Sequence, residues 1–157
     1  MLNWLAPLLV LTLASPAPAG GSQPFPGVEF AAAKAFYFNA KDGRPECMMP
    51  VNKNGSLCSS IEGPGKQLSP KQATALFEIL NEPAAYQKGF AKCFIPHHAV
   101  VLYDVKGKAV AQVSICFQCH QLHIEPGQPK RRSLANGARN QLQDLCLELG
   151  LKDCRKN

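Results

Sequence analysis

The chain has 157 residues, enough for one ordinary domain, and a formal net charge of +6. Part of that charge lies in Lys130, Arg131 and Arg132. No aromatic side chains interleave with this run, so nucleic-acid binding is not expected. The sequence contains no nucleophile elbow, zinc-protease helix, P-loop or dinucleotide fingerprint, and no catalytic residue is predicted.

Residues 1–19 are predicted to be a signal peptide. Leu5 to Leu13 form a short apolar run, and Ala17-Pro18-Ala19 is a small-x-small cleavage pattern. The run is too short to cross a bilayer, so no membrane span is expected after the signal is removed. A retained membrane tether is the alternative. We expect a periplasmic or secreted protein with a flexible lead-in at 20–27 and one domain at 28–157.

The chain has seven cysteines, and all of them lie in the mature part. Export favours pairing, but an odd number leaves at least one thiol free, bound to a metal or cofactor, or paired with another chain. We predict that Cys47 pairs with Cys58 across a long loop. Cys146 and Cys154 flank the end of the second predicted helix, where a bridge between them would fix the C-terminus. Bridges from these cysteines to other elements are the alternatives.

Two helices are predicted. Ser69, Pro70 and Gln72 form an N-terminal capping pattern, and the apolar stripe that follows predicts a helix over 70–81. Ser133 is expected to cap a second helix over about 134–149. The Pro- and Gly-rich residues just before this second helix, 123–132, are predicted to form a loop.

The strongest strand signal is a β-hairpin over about 98–117. Its second strand alternates apolar and polar residues, and Gly107 in the turn is able to take a positive φ. A three-residue loop places His98 opposite Ser114, and a two-residue loop shifts the pairing by one. We therefore predict an α+β fold: a small antiparallel sheet centred on this hairpin, extended by a strand near Phe36 and packed by the two helices.

Either register gathers thiols and imidazoles at the open end of the hairpin, because opposed side chains in a ladder lie about 5 Å apart. The predicted cluster contains Cys93, His97 or His98, Cys116 and Cys119. Residues three apart in an extended strand are separated by about 10 Å. The chain must therefore bend between Cys116 and Cys119 if both serve one partner.

Four interpretations of this cluster stay open. The first is a structural disulfide from Cys93 to Cys116 or Cys119. The second is a zinc site formed by Cys93, His98, Cys116 and Cys119, with His97 or His120 as an alternative ligand. The third is c-type haem, attached at the C-x-x-C-H motif through Cys116, Cys119 and His120, in an electron-transfer protein. The fourth is a redox-active dithiol at the C-x-x-C motif.

Residues 93–119 resemble small exported bacterial proteins that have no assigned function. Their pattern is C-x-x-P-x-H, a hairpin and I-C-F-x-C, and the shared positions here are Cys93, Pro96, His98, Cys116 and Cys119. His97 stands where those proteins usually have Arg, and His120 lies outside the pattern. The resemblance implies the cluster and no activity. We expect a non-enzymatic domain whose Cys/His cluster is structural or binds a metal, with haem-carrying electron transfer as the alternative.

Overall fold

The computed structural model describes residues 24–38, 48–89, 91–127 and 131–155. The predicted signal peptide and Cys47 lie outside these residues. The predicted α+β class is confirmed, since the described chain forms one antiparallel sheet and two helices. The strands are β1 (Ala32–Phe38), β2 (Ile61–Gln67), β3 (Tyr86–Gln87), β4 (His98–Tyr103), β5 (Ala109–Cys116), β6 (Gln121–Glu125) and β7 (Arg132–Leu134); the helices are α1 (Pro70–Asn81) and α2 (Asn136–Glu148).

The sheet is larger than predicted. Its seven strands follow the order β2-β1-β4-β5-β6-β7-β3, so the β4–β5 hairpin lies near the centre of a broad sheet. The prediction of a small hairpin-centred sheet is therefore wrong. The predicted loop at 123–132 is also wrong in part, because β6 and β7 occupy its two ends. Neither helix in the described part of the chain is long and apolar enough to cross a membrane.

The helix predictions differ in outcome because their caps differ. Helix α1 has the predicted bounds, and Ser69 and Gln72 form the predicted capping box. Helix α2 begins at Asn136, after an N-cap residue, Ala135, that makes no side-chain cap bond. The expected cap, Ser133, is instead part of β7, and its hydroxyl donates a hydrogen bond to the Gly89 carbonyl. The Ser133 side chain, which the sequence pattern assigned to a helix cap, therefore binds a carbonyl group distant in the sequence instead.

The hairpin contains both predicted registers. Next to the turn, the Asp104 N–H donates to the Lys108 carbonyl at 2.9 Å, as a three-residue loop requires. The pairing then shifts by one residue between Leu102 and Tyr103. Further out, His98 lies opposite Ile115, which is the register of the shorter loop. A one-residue shift reverses which face each side chain takes, so this irregularity decides where the cluster residues point.

The two faces of the sheet carry different layers. Val113 and Ile115 point to the main apolar core, which includes the buried side chains of both helices; we call this the helix face. Because side chains alternate along a strand, Gln112 and Ser114 point the other way. There the Gln112 side chain accepts a hydrogen bond from the backbone N–H of Val51, and the Ser114 hydroxyl donates to the Met49 sulfur. We call this side the loop face.

A substitution at Gly65 tests the packing of β2 on β1. Gly65 has a φ of +79°, and an added Cβ would overlap the buried ring of Phe36. Gly63 has a similar φ of +76° and open space around it. We expect Gly65→Ala to be less stable than Gly63→Ala by about 1–2 kcal/mol, because only the first adds overpacking to the backbone strain. Equal free energies of unfolding in denaturant titrations would contradict this packing.

Candidate functional site

Three free thiols meet at the open end of the hairpin. The Cys119 thiol forms hydrogen bonds with the thiols of both Cys93 and Cys116. Cys116 is 1% exposed and Cys119 is 7% exposed, whereas Cys93 lies at the surface. We call these three residues the thiol cluster. Its arrangement is one accessible sulfur above two buried ones.

A tight turn between β5 and β6 brings Cys116 and Cys119 together. The His120 N–H donates to the Phe117 carbonyl at 3.3 Å, and His120 itself takes a φ of +51°. The Cys119 N–H donates to the Cys116 sulfur at 3.2 Å. This is the bend that two cysteines three apart need in order to act together.

The walls of the thiol cluster are mainly apolar. Phe94 is buried against Cys116 and Cys119, and Met48 and Ala91 pack against this group. The carbonyl of Ala91 accepts a hydrogen bond at 2.7 Å from the side chain of Gln121, which is completely buried. That bond fixes the segment before β4, which carries Cys93 and Phe94. The cluster therefore lies between a loop and the sheet, largely shielded from water.

The surroundings keep two of the thiols protonated at neutral pH. The pKa of Cys93 is raised, first by its hydrogen bond with Cys119 and then by burial. The pKa of Cys119 is raised mainly by burial, and also by its hydrogen bond with Cys116. A reactive cysteine normally has a lowered pKa, so these thiols do not have the character of nucleophiles. A metal ion that binds here would displace their protons.

His98, a predicted metal ligand, points away from the thiol cluster. It lies opposite Ile115 in the ladder, and its ring therefore points to the helix face while Cys116 points to the loop face. Its Nε2 lies 2.7 Å from the Lys152 carbonyl oxygen, and its ring centroid lies 4.9 Å from that of Phe117. The structure thus brings three of the four predicted ligands together and places the fourth on the opposite face.

The other histidines also have partners elsewhere. The Nδ1 of His97 lies 3.3 Å from the Phe38 carbonyl, so this ring is held by β1. The Nε2 of His120 contacts the guanidinium of Arg139, on α2. His123 faces Glu125 along β6, with its Nε2 3.6 Å from the carboxylate. The haem hypothesis, which needs His120 as an axial ligand, stays a prediction.

The helix face carries a second group of sulfur atoms. Cys146 and Cys154 form a disulfide with their Cα atoms 5.8 Å apart. The His98 nitrogen and these two sulfurs all lie within 4.8 Å of one another, so this His/Cys group could hold a metal ion. In the disulfide form the sulfurs are not thiolates, which makes the group structural in this state. Cys58 is also disulfide-bonded, and its predicted partner, Cys47, lies outside the described residues.

The buried imidazole of His98 predicts a loss of stability in acid. Burial lowers the pKa of His98 below its ordinary value of 6.5, so the unfolded chain takes up a proton at a higher pH than the folded chain. The free energy of unfolding should therefore decrease as the pH falls below about 6.5. Denaturant titrations at pH 7 and pH 5 should show a smaller decrease for His98→Gln. A decrease of wild-type size in His98→Gln would contradict this role of the buried imidazole.

No protein-family model, curated protein or solved structure matches this chain. The resemblance of residues 93–119 to small exported bacterial proteins stays a prediction. One neighbour of the thiol cluster, Met48, was not predicted as a site residue. It lies 45 positions before Cys93 in a segment without periodicity, and no spacing rule connects the two.

Proposed function

We propose that this chain is an exported, non-enzymatic domain whose thiol cluster binds a metal ion. The observation that carries the proposal is that the Cys119 thiol interacts with those of both Cys93 and Cys116, with a backbone N–H directed at the Cys116 sulfur. Cysteine sulfurs are donors that zinc and copper(I) prefer in proteins. Zinc is the ion that the C-x-x-C spacing predicts.

Export is supported by the state of the other cysteines. Cys146 and Cys154 are joined in a disulfide, and Cys58 is also disulfide-bonded. Disulfides are typical of oxidising compartments, in agreement with the predicted signal peptide. In such a compartment, thiols that contact one another, as Cys119 contacts Cys93 and Cys116, would normally oxidise. A bound ion supplies a reason for them to stay reduced, because coordinated sulfur is protected from pairing.

A non-enzymatic role is supported by the character of the thiols. The raised pKa values of Cys93 and Cys119 are opposite to what a nucleophilic or redox-active cysteine requires. The competing interpretation is a structural disulfide between Cys93 and Cys119. It would leave Cys116 as a single buried thiol, and it is one of the outcomes of the experiment that follows.

The test is elemental analysis of the full chain, expressed with export and purified without added metal. We expect one metal ion per chain by native mass spectrometry, and three reactive thiols after denaturation in the presence of a chelator. No metal and one thiol per chain would replace the proposal with the disulfide interpretation. A red protein with a Soret band would replace it with the haem hypothesis.

A further inference from the structure

We infer that His98, Cys146 and Cys154 form a zinc site when their disulfide is reduced, and that closing the disulfide expels the ion. We call these three residues the core His/Cys group. The group lies on the helix face of the sheet, apart from the thiol cluster. Its zinc would be a second ion, in addition to the one in the proposed function.

The core His/Cys group has nearly the spacing of a metal site. A ring nitrogen of His98 and the two sulfurs lie within 4.8 Å of one another. Ligand atoms on one tetrahedral zinc lie roughly 3.5–4 Å apart, because Zn–S bonds are about 2.3 Å long and Zn–N bonds about 2.0 Å. Two bonded sulfurs, about 2 Å apart, must therefore separate by about 2 Å. Cys154 lies on the segment after α2, so a small shift of that segment is enough.

His98 has the orientation of a metal-bound histidine. Its Nε2 lies 2.7 Å from the Lys152 carbonyl oxygen. A carbonyl oxygen only accepts hydrogen bonds, so Nε2 carries the hydrogen, and in the neutral ring Nδ1 carries the free lone pair. Histidines that bind metals typically donate their second N–H to a backbone carbonyl in this way, which fixes the direction of the ring.

The surroundings of the core His/Cys group suit a complex without net charge. Its three side chains are at most 5% exposed, and both cysteines belong to the main apolar core. Two thiolates cancel the two charges of Zn²⁺ and the neutral imidazole adds none, so the complex avoids the cost of an unpaired buried charge. A cavity of about 20 Å³ borders the group, lined by His98, Cys146 and otherwise apolar side chains. It has room for one water molecule, the fourth ligand that a zinc ion with three protein ligands takes.

Zinc and the disulfide exclude each other because both use the same two sulfurs. Zinc binding releases one proton from each of the two thiols. Oxidation by a small-molecule disulfide reverses this binding. The two thiolates give up two electrons and form the Cys146–Cys154 bond, the bond of the small disulfide breaks and its halves take up two protons as thiols, and Zn²⁺ leaves. The reduced chain, before its bridge forms, is therefore the state that binds zinc.

The first experiment measures zinc in the reduced full chain. The chain is unfolded, reduced, refolded with zinc under anaerobic conditions and freed of unbound zinc. We expect the wild type to hold one zinc more than Cys154→Ala prepared in the same way. In competition with a colorimetric chelator, His98→Gln should weaken this additional binding by about 100-fold or more, since even the outer partners of metal ligands contribute 10–100-fold. The matched control is His97→Gln, whose ring is held by the Phe38 carbonyl, and it should bind as the wild type does.

The second experiment adds oxidised glutathione to the zinc-loaded wild type. One zinc per chain should be released as the Cys146–Cys154 bridge forms, followed by a zinc indicator and by peptide mass mapping. This measurement uses only the wild type, so it decides the question if a variant fails to fold. Equal zinc contents in the reduced wild type and Cys154→Ala, or a bridge that forms while all zinc stays bound, would overturn the inference. Zinc at the thiol cluster would raise the content of both chains equally, which distinguishes failure of the inference from failure of the proposed function.

Discussion

Replacing Cys119 by serine is expected to remove metal binding. Cys119 is the central member of the thiol cluster, since its thiol contacts those of Cys93 and Cys116. Its loss leaves two sulfurs without a common neighbour. We expect the affinity for the bound metal to fall by about 100-fold or more, because even the outer partners of metal ligands contribute 10–100-fold. Metal content after purification and competitive titration would both report this change.

The matched control for Cys119→Ser is Ser114→Ala. Ser114 is also fully buried and also points to the loop face, but its hydroxyl bonds the sulfur of Met49. The control should keep the wild-type metal content and affinity. Circular dichroism of both variants would show that the sheet has formed. Wild-type affinity in Cys119→Ser would be incompatible with a metal site at the thiol cluster.

Removing the disulfide on the helix face should lower stability and leave metal binding unchanged. The bridge between Cys146 and Cys154 joins residues 8 positions apart and attaches the C-terminal segment to α2. We expect the double variant Cys146→Ala/Cys154→Ala to lose about 2–3 kcal/mol of unfolding free energy. Its thiol cluster, on the opposite face, should bind metal as before.

Leu147→Ala is a suitable control for this second prediction. Leu147 neighbours Cys146 on α2 but is 47% exposed, so its truncation should change the unfolding free energy by less than about 0.5 kcal/mol. Denaturant unfolding followed by fluorescence or circular dichroism gives both values. A double variant as stable as Leu147→Ala would mean that the disulfide contributes little to the fold.

Local signals were sufficient for some elements and insufficient for others. The bounds of α1 were predictable because Ser69 and Gln72 satisfy each other within four residues. Strand β3 has two residues, and β7 has three. Their pairing joins Tyr86 to Leu134, which are far apart in the sequence. Strands of two or three residues are too short to show an alternating apolar and polar pattern in the sequence. They can be recognised only from the strands with which they pair.

The thiol cluster was partly predictable because it depends in part on local structure. A hairpin is a local structure, and folding back at Gly107 was enough to bring Cys93 near Cys119. The direction of His98 was not predictable, because it depends on the register shift between Leu102 and Tyr103. The position of Met48 was also beyond sequence patterns, since the segment that carries it is ordered by contacts with the loop face.

The sheet itself has a chemical consequence for the oxidation state of this chain. Disulfide exchange requires a thiolate to attack a bridged sulfur directly. Cys116 points to one side of β5, whereas the Cys146–Cys154 bridge is packed among the core residues on the other side. A hydrogen-bonded layer of backbone therefore insulates reduced sulfur from this oxidised pair. The folded chain can therefore contain free thiols on one face and this disulfide on the other, without disulfide exchange between them.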